Sequence, residues 1–219
     1  MTKRYRHYCA VARALDMVGE RWALLVVRQL LPGGRRYNQL LEGLPGIGTN
    51  VLTERLKELE GRGVLRRQPD GIYELTPLGL ELEPVVSALA RWGMNFLDEP
   101  LPDDVYRPEW LLTGLRGTFD PVAAAGLHET YEIRVDDYVF HANVDDGTLD
   151  LVEGPAREPT LVANLQAGTL LALGTGRLSA REAVRSGAVH LLGNQDAFQR
   201  CVAVLNGNRK IPTKHVLVA

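Results

Sequence analysis

Asn50, Thr53, Glu54 and Lys57 are the residues of this 219-residue sequence whose types and spacing point most directly to chemistry. If Leu52, Leu56 and Leu59 form the inward stripe of a helix, a rotation of about 100° per residue turns those four outward together, with Thr49 at the helix start. Asn and Thr side chains hydrogen-bond base edges, and Lys offers a point charge to phosphate. Arg35 and Arg36, in the loop before a third helix, and Arg66 and Arg67, in the first half of a following strand pair, suit phosphate contact. Taken singly, each is also an ordinary solvated side chain. Their coincidence at the helix and wing positions that meet duplex DNA shifts the whole set towards double-stranded DNA as partner.

Other reactive side chains do not assemble. Cys9 and Cys201 lie far apart and match neither a disulfide framework nor paired metal-ligand spacing, which fits a reducing compartment. Basic Arg4, Arg6 and His7 near Cys9 would lower its pKa and make it a redox candidate, although a small buried residue on a helix is the simpler reading. Cys201, on an apolar helical face, reads as core. His7, His128, His141, His190 and His215 are scattered, with no pair at helical ligand spacing, so no metal site is expected. Gly174-Thr-Gly176 lacks the third glycine of a dinucleotide site, and there is no nucleophile elbow or phosphate-binding loop. Asp136-Asp137 reads as a turn rather than as a general acid and base. The expectation is a protein with no active site and no cofactor, not an enzyme.

The elements that must position the DNA-facing residues are mainly helical at first. Tyr8, Val11, Ala12, Leu15 and Val18 make one apolar stripe, and Trp22, Leu25, Val26 and Leu30 a second. Short helices follow over Tyr37 to Leu44 and Thr49 to Arg62. Pro69-Asp70-Gly71 turns Val64–Gln68 back onto Ile72–Leu75 as a hairpin. Thr76-Pro77 then opens a helix to Phe96 whose Leu78, Leu82, Val85, Leu89, Trp92 and Phe96 follow a heptad, a seam that calls for a partner helix. Three helices, a wing and a closing helix are the order of a winged helix-turn-helix.

Three prolines between Asp98 and Pro108 mark a linker. Beyond it, the pattern predicts a helix over Trp110–Phe119 and strands over Thr130–Val135, Tyr138–Val144, Thr148–Val152 and Pro159–Leu165. Helices over Gln166–Leu173, Ala180–Ser186 and Asp196–Leu205 enclose a last strand, Ala188–Leu192. The fold class is α+β, divided into a DNA-binding and dimerisation domain (1–98), a linker (99–106), a second domain (107–206) and a tail (207–219). Residues 1–97 carry 14 Lys/Arg against 10 Asp/Glu, whereas residues 98–219 carry 11 against 17, so only the first half suits a polyanion. No apolar run approaches the length of a membrane span, and no signal-peptide core follows the charged start, so a cytoplasmic location is expected.

Cys9–Arg28, Arg36–Leu41 and Gly48–Glu60 with Gly63-Val-Leu resemble the HxlR-type winged-helix regulators of bacteria, close to the MarR-like group. The resemblance implies a homodimer built by the first and last helices on an inverted-repeat operator. It also implies a redox-sensing thiol at Cys9, as some members of the family carry. Two departures are Ala10, where proline is usual, and Gly48, where serine commonly caps the recognition helix. Residues 107 to about 206 are similar to the sterol-carrier-protein-like fold through Tyr131–Val135, Asp145–Leu151 and Gly187–Gly193. That similarity implies a curved sheet under helices around an apolar tunnel for a hydrophobic or aromatic effector. Its lining would come from Trp110, Leu112, Phe119, Tyr131, Tyr138, Phe140, Leu149, Leu151, Leu165, Leu173 and Phe198, which would equally serve as plain core. A protein of the lipid-carrier kind, with its helical half used only for dimerisation, is the competing class.

Overall fold

The structure, a computed structural model, describes residues 4–97, 103–105, 107 and 109–206. Most of the expected linker, all of the expected tail and His215 lie outside the described residues. By packing, the chain divides into two compact units, Met1–Val86 and Ser87–Ala219.

The first unit contains α1 (Ala10–Val18), α2 (Ala23–Leu30), β1 (Arg35–Arg36), α3 (Tyr37–Gly43), α4 (Thr49–Gly61), β2 (Leu65–Arg67), β3 (Ile72–Leu75) and α5 (Pro77–Leu80). α6 (Glu83–Gly93) begins in this unit, and the division falls inside it rather than at the prolines. Val26, Leu40 and Leu52 are wholly buried in one apolar cluster, so α2, α3 and α4 converge on the same core. The sheet order is β1-β3-β2, all antiparallel. Arg35 and Arg36 therefore form a strand opposite Tyr73 and Ile72, not the loop expected from sequence. A two-residue strand carries no alternation to read; pairing with β3 is what creates it.

Gly79 admits α5 close to the strand start, since a Cβ there would stand 2.0 Å from the Val64 carbonyl oxygen. Thr76 caps α5 by accepting from the Gly79 N–H at 3.1 Å. The single helix expected over Thr76–Phe96 is three pieces: α5, α6 and a 3₁₀ turn over Met94–Phe96. Pro84 explains the first break. It has no N–H to give to the Leu80 carbonyl and is tolerated in the first turn of a new helix.

The second unit adds α7 (Trp110–Thr118), β4 (His128–Val135), β5 (Tyr138–Asp145), β6 (Thr148–Glu153), β7 (Leu161–Leu165), α8 (Ala167–Gly174), α9 (Ala180–Arg185), β8 (Val189–Gly193) and α10 (Gln195–Asn206). Each element expected from periodicity is present within about two residues. Its sheet runs β6-β5-β4-β7-β8, with β4 and β7 parallel and the other neighbours antiparallel. Asp146 and Gly147, at φ 43° and 81°, turn β5 into β6 as a two-residue hairpin. Tyr131, Ile133 and Val135 of β4 face the apolar core, opposite Ala142, Phe140 and Tyr138 of β5. In this unit, Arg91 of α6 donates to the Gly117 carbonyl of α7. Among the described residues, no helix is long and apolar enough to cross a membrane.

Candidate nucleic-acid interface

α4 is fixed from behind, and this sets which of its residues face out. Leu52, Leu56 and Leu59 are buried, as their spacing requires, while Thr49, Asn50, Thr53, Glu54 and Lys57 are all exposed. Arg55, which the sequence reading passed over, is only 9% exposed and pairs with Glu58 at 2.5 Å and with Glu20 and Glu54 at 3.8 Å. Arg62 donates to the Met17 carbonyl at 2.6 Å, so the far end of α4 is tied to the end of α1. Glu54 thus stands on the outer face but within reach of the Arg55 guanidinium, which restrains a carboxylate that would otherwise oppose phosphate.

Gly48 leaves the start of α4 without a side-chain cap. A hydroxyl cluster occupies that end instead. Tyr37 and Thr53 both donate to the Thr49 carbonyl at 2.9 Å, and their oxygens are 3.3 Å apart. Tyr37 was read from sequence only as the start of a helix. Gln29, 3% exposed in α2, donates to the Gly43 carbonyl at the end of α3 and so holds the helix pair that carries α4.

The wing gathers three of the four predicted arginines on an exposed surface. Arg66 bonds Glu74 through Nε and Nη2, each at 2.5 Å, and holds that carboxyl below the usual carboxylate range, with help from Gln68. Arg67 lies 5.6 Å over the Tyr73 ring. Arg36 donates to the Asp70 carbonyl at 2.6 Å. The Arg36 and Arg67 guanidiniums each lie 3.8 Å from where a Cβ on Gly71 would be, so both flank the wing turn. Arg35 differs: it is half-buried and its Nε donates to the Gln29 carbonyl at 2.8 Å, which makes it a brace between α2 and β1.

Cys9 does not behave as the buried residue first expected. It is exposed at the N-cap of α1, where it makes no capping hydrogen bond, but the nearby backbone N–H groups of Ala12 and Val11 lower its pKa. Tyr8 precedes the helix and is fully exposed, along with Val11 at 67% and Leu15 at 46%. Of the heptad residues, Leu78, Val85, Leu89 and Trp92 are exposed, whereas Leu82 packs on the core. Cys201 is buried, and burial pushes its pKa up.

In the second unit, the predicted lining residues fill one packed core. Leu112, Tyr131, Phe140, Leu151, Leu165, Leu173 and Phe198 are buried in it, with Phe119, Tyr138 and Leu149 against its edge; Trp110 is half-buried at the start of α7. Leu165, Leu173 and Phe198 of that set line a void of about 20 Å³, which they share with Leu115, Ile133 and Leu170. That volume is about one water molecule. Sequence reasoning also missed Glu129, whose carboxylate takes a bidentate bond from Arg200 and the proton of the buried Tyr131 hydroxyl.

A three-helix core presenting one exposed helix face beside an arginine-bearing three-stranded wing is a winged helix-turn-helix. The family described as HxlR-like helix-turn-helix matches residues 17–100. The HTH-type transcriptional regulator sll1512 of Synechocystis sp., itself uncharacterised, is 37% identical over 99 residues, which cover 42% of this chain and 73% of that one. YvaP of Bacillus subtilis, described in the same words, is 37% identical over 97 residues, covering 42% of this chain and 90% of its own. The solved quinone-bound YodB of B. subtilis is 35% identical, with a TM-score of 0.36, covering 38% of this chain and 93% of that one. The chain belongs to the HxlR-like helix-turn-helix family.

Proposed function

We propose that this protein is a dimeric transcriptional regulator of the HxlR type, with residues 1–98 binding a pseudo-palindromic operator and residues 107–206 forming a sterol-carrier-like ligand domain. The observation that carries the DNA-binding reading is the uniform exposure of Asn50, Thr53 and Lys57 on α4 beside the Arg36–Arg67 pair of the wing. α4 enters the major groove, Asn50 and Thr53 meet base edges, and Arg36, Arg66 and Arg67 hold phosphates; Arg66 exchanges Glu74 for phosphate as it docks. Exposed Val11 and Leu15 on α1, and exposed Val85, Leu89 and Trp92 along α6, support a second copy of the chain as the cover for each of these apolar faces. Gel-shift selection from a duplex library tests this: an enriched inverted repeat with half-sites about 10 base pairs apart is expected, and Asn50→Ala must relax one position of it.

The effector is a hydrophobic or aromatic small molecule. The five-stranded sheet with its helices supports that reading, and so does α8, which is apolar on every side although only Leu173 in it is buried. With a void of about 20 Å³, far below the roughly 300 Å³ of a small-molecule pocket, binding requires α8 to move outward. Cys9 favours a second reading, a thiol switch, because its exposed sulfur sits where backbone N–H groups stabilise a thiolate. Oxidant response in wild type and its loss in Cys9→Ser would select the thiol; response to an apolar compound in Cys9→Ser would select the ligand.

A further inference from the structure

α4 carries a carboxylate near the middle of its outward face. Leu52, Arg55, Leu56 and Leu59 are its buried residues. At about 100° per residue, the direction opposite their mean passes within roughly 30° of Asn50, Glu54 and Lys57, with Thr53 about 70° away. Glu54 stands one turn after Asn50, and its side chain is 66% exposed. Among the described residues its one ionic neighbour is the Arg55 guanidinium, 3.8 Å from Oε2, a charge contact beyond hydrogen-bond reach. That guanidinium is already bonded to Glu58 at 2.5 Å and stands 3.8 Å from Glu20. Three carboxylates thus share one cation, and both Glu54 oxygens keep their lone pairs for a partner outside the protein.

We propose that Glu54 is a specificity-determining residue that selects cytosine at the base it faces. This rests on the DNA-binding reading above. When α4 enters the groove, the carboxylate sheds water and is repelled by phosphates, which offer no donor; a base-edge N–H is what can replace the lost hydrogen bonds. The major groove shows two such donors, the cytosine N4 and adenine N6 amines. Adenine sets the acceptor N7 beside N6, so one carboxylate oxygen would face a lone pair. Guanine and thymine present only acceptors, O6 with N7 and O4. Cytosine alone offers its amine without a second acceptor on the same base. A charge-assisted hydrogen bond of this kind corresponds to about ten-fold in binding. Lys57, three residues further on, keeps the phosphate contact, so attraction to the backbone and choice of the base fall to different side chains.

The test is selection from a randomised duplex library with the full-length wild type, Glu54→Ala and Glu54→Gln, followed by binding measurements on single-position variants of the selected duplex. Wild type is expected to favour cytosine about ten-fold at one position of each half-site. Glu54→Ala should fall below about two-fold there, with the rest of the half-site and the melting temperature kept. Glu54→Gln, which has a donor as well as an acceptor, should move that position to adenine, whose N6 and N7 it can pair together. Cytosine retained at every position in either variant overturns the proposal. So does a wild-type preference for guanine, thymine or adenine at the position that Glu54→Ala relaxes. Tighter binding of Glu54→Ala to all duplexes with an unchanged sequence preference also overturns it, since that is the signature of a carboxylate that only repels phosphate. Failure of the wild type to enrich any sequence overturns the DNA-binding reading, and this proposal with it.

Discussion

Leu89→Asp should separate assembly from folding. Leu89 is 45% exposed on α6, so a partner chain has a little under half of its side chain left to bury. Full burial of a leucine contributes about 1.5–3 kcal/mol, so the remaining part is worth about 0.7–1.4 kcal/mol per chain. A two-fold interface counts it twice, giving about 1.4–2.8 kcal/mol, or roughly ten- to 110-fold in the dimer dissociation constant. Any burial of the new carboxylate adds to that figure. The isolated chain should hardly notice, because substitutions at exposed positions usually change stability by less than about 0.5 kcal/mol. Sedimentation equilibrium over a concentration series, with circular dichroism melting at low concentration, measures both quantities. A dissociation constant unchanged in Leu89→Asp, or a wild type that is monomeric at high micromolar concentration, would refute the reasoning that the exposed α6 face is a dimer seam.

Further outcomes follow from other contacts. Gly79→Ala should cost more than about 2 kcal/mol in denaturant unfolding, because its Cβ would overlap the Val64 carbonyl oxygen; a variant as stable as wild type would show that α5 can back away. Burial raises the Glu129 pKa, but hydrogen bonds from Arg200 and Tyr131 outweigh it and leave it lowered, so its contribution to stability is present above the unfolded carboxylate pKa and is lost as pH falls through the folded value. Glu129→Gln should therefore flatten the acid side of the melting-temperature profile below about pH 4.5, and an identical profile would contradict this. An apolar aromatic compound that occupies the α8 void should raise the melting temperature; a panel of such compounds giving no shift would remove the effector from the account.

Periodicity made most elements legible because each expresses a local rule. Leu52, Leu56 and Leu59 fixed the outward face of α4, and Asp146-Gly147 fixed a hairpin. What the sequence hid was decided by groups far apart along the chain. Arg35 and Arg36 become a strand only because Tyr73 and Ile72 lie beside them. Tyr37 meets Thr49 and Thr53, and Glu129 meets Arg200 from 71 positions away. Pro84 was a readable signal, since a heptad continued through it must lose a backbone hydrogen bond. The exposure of Cys9 had no local signal, because α1 begins one residue after it and leaves it at the N-cap.

The central claim is that two copies of the α4–wing surface grip duplex DNA. The most direct measurement is fluorescence anisotropy of full-length protein on its selected duplex across a salt series. Lys57, Arg36, Arg66 and Arg67 from two protomers amount to about eight phosphate contacts, so log K against log salt should fall with a slope of about −7. Arg67→Ala should reduce that slope by nearly two, one contact being lost per protomer, without changing the preferred sequence. A slope near zero, or no binding at 50 mM salt, a condition that favours such contacts, would contradict the account.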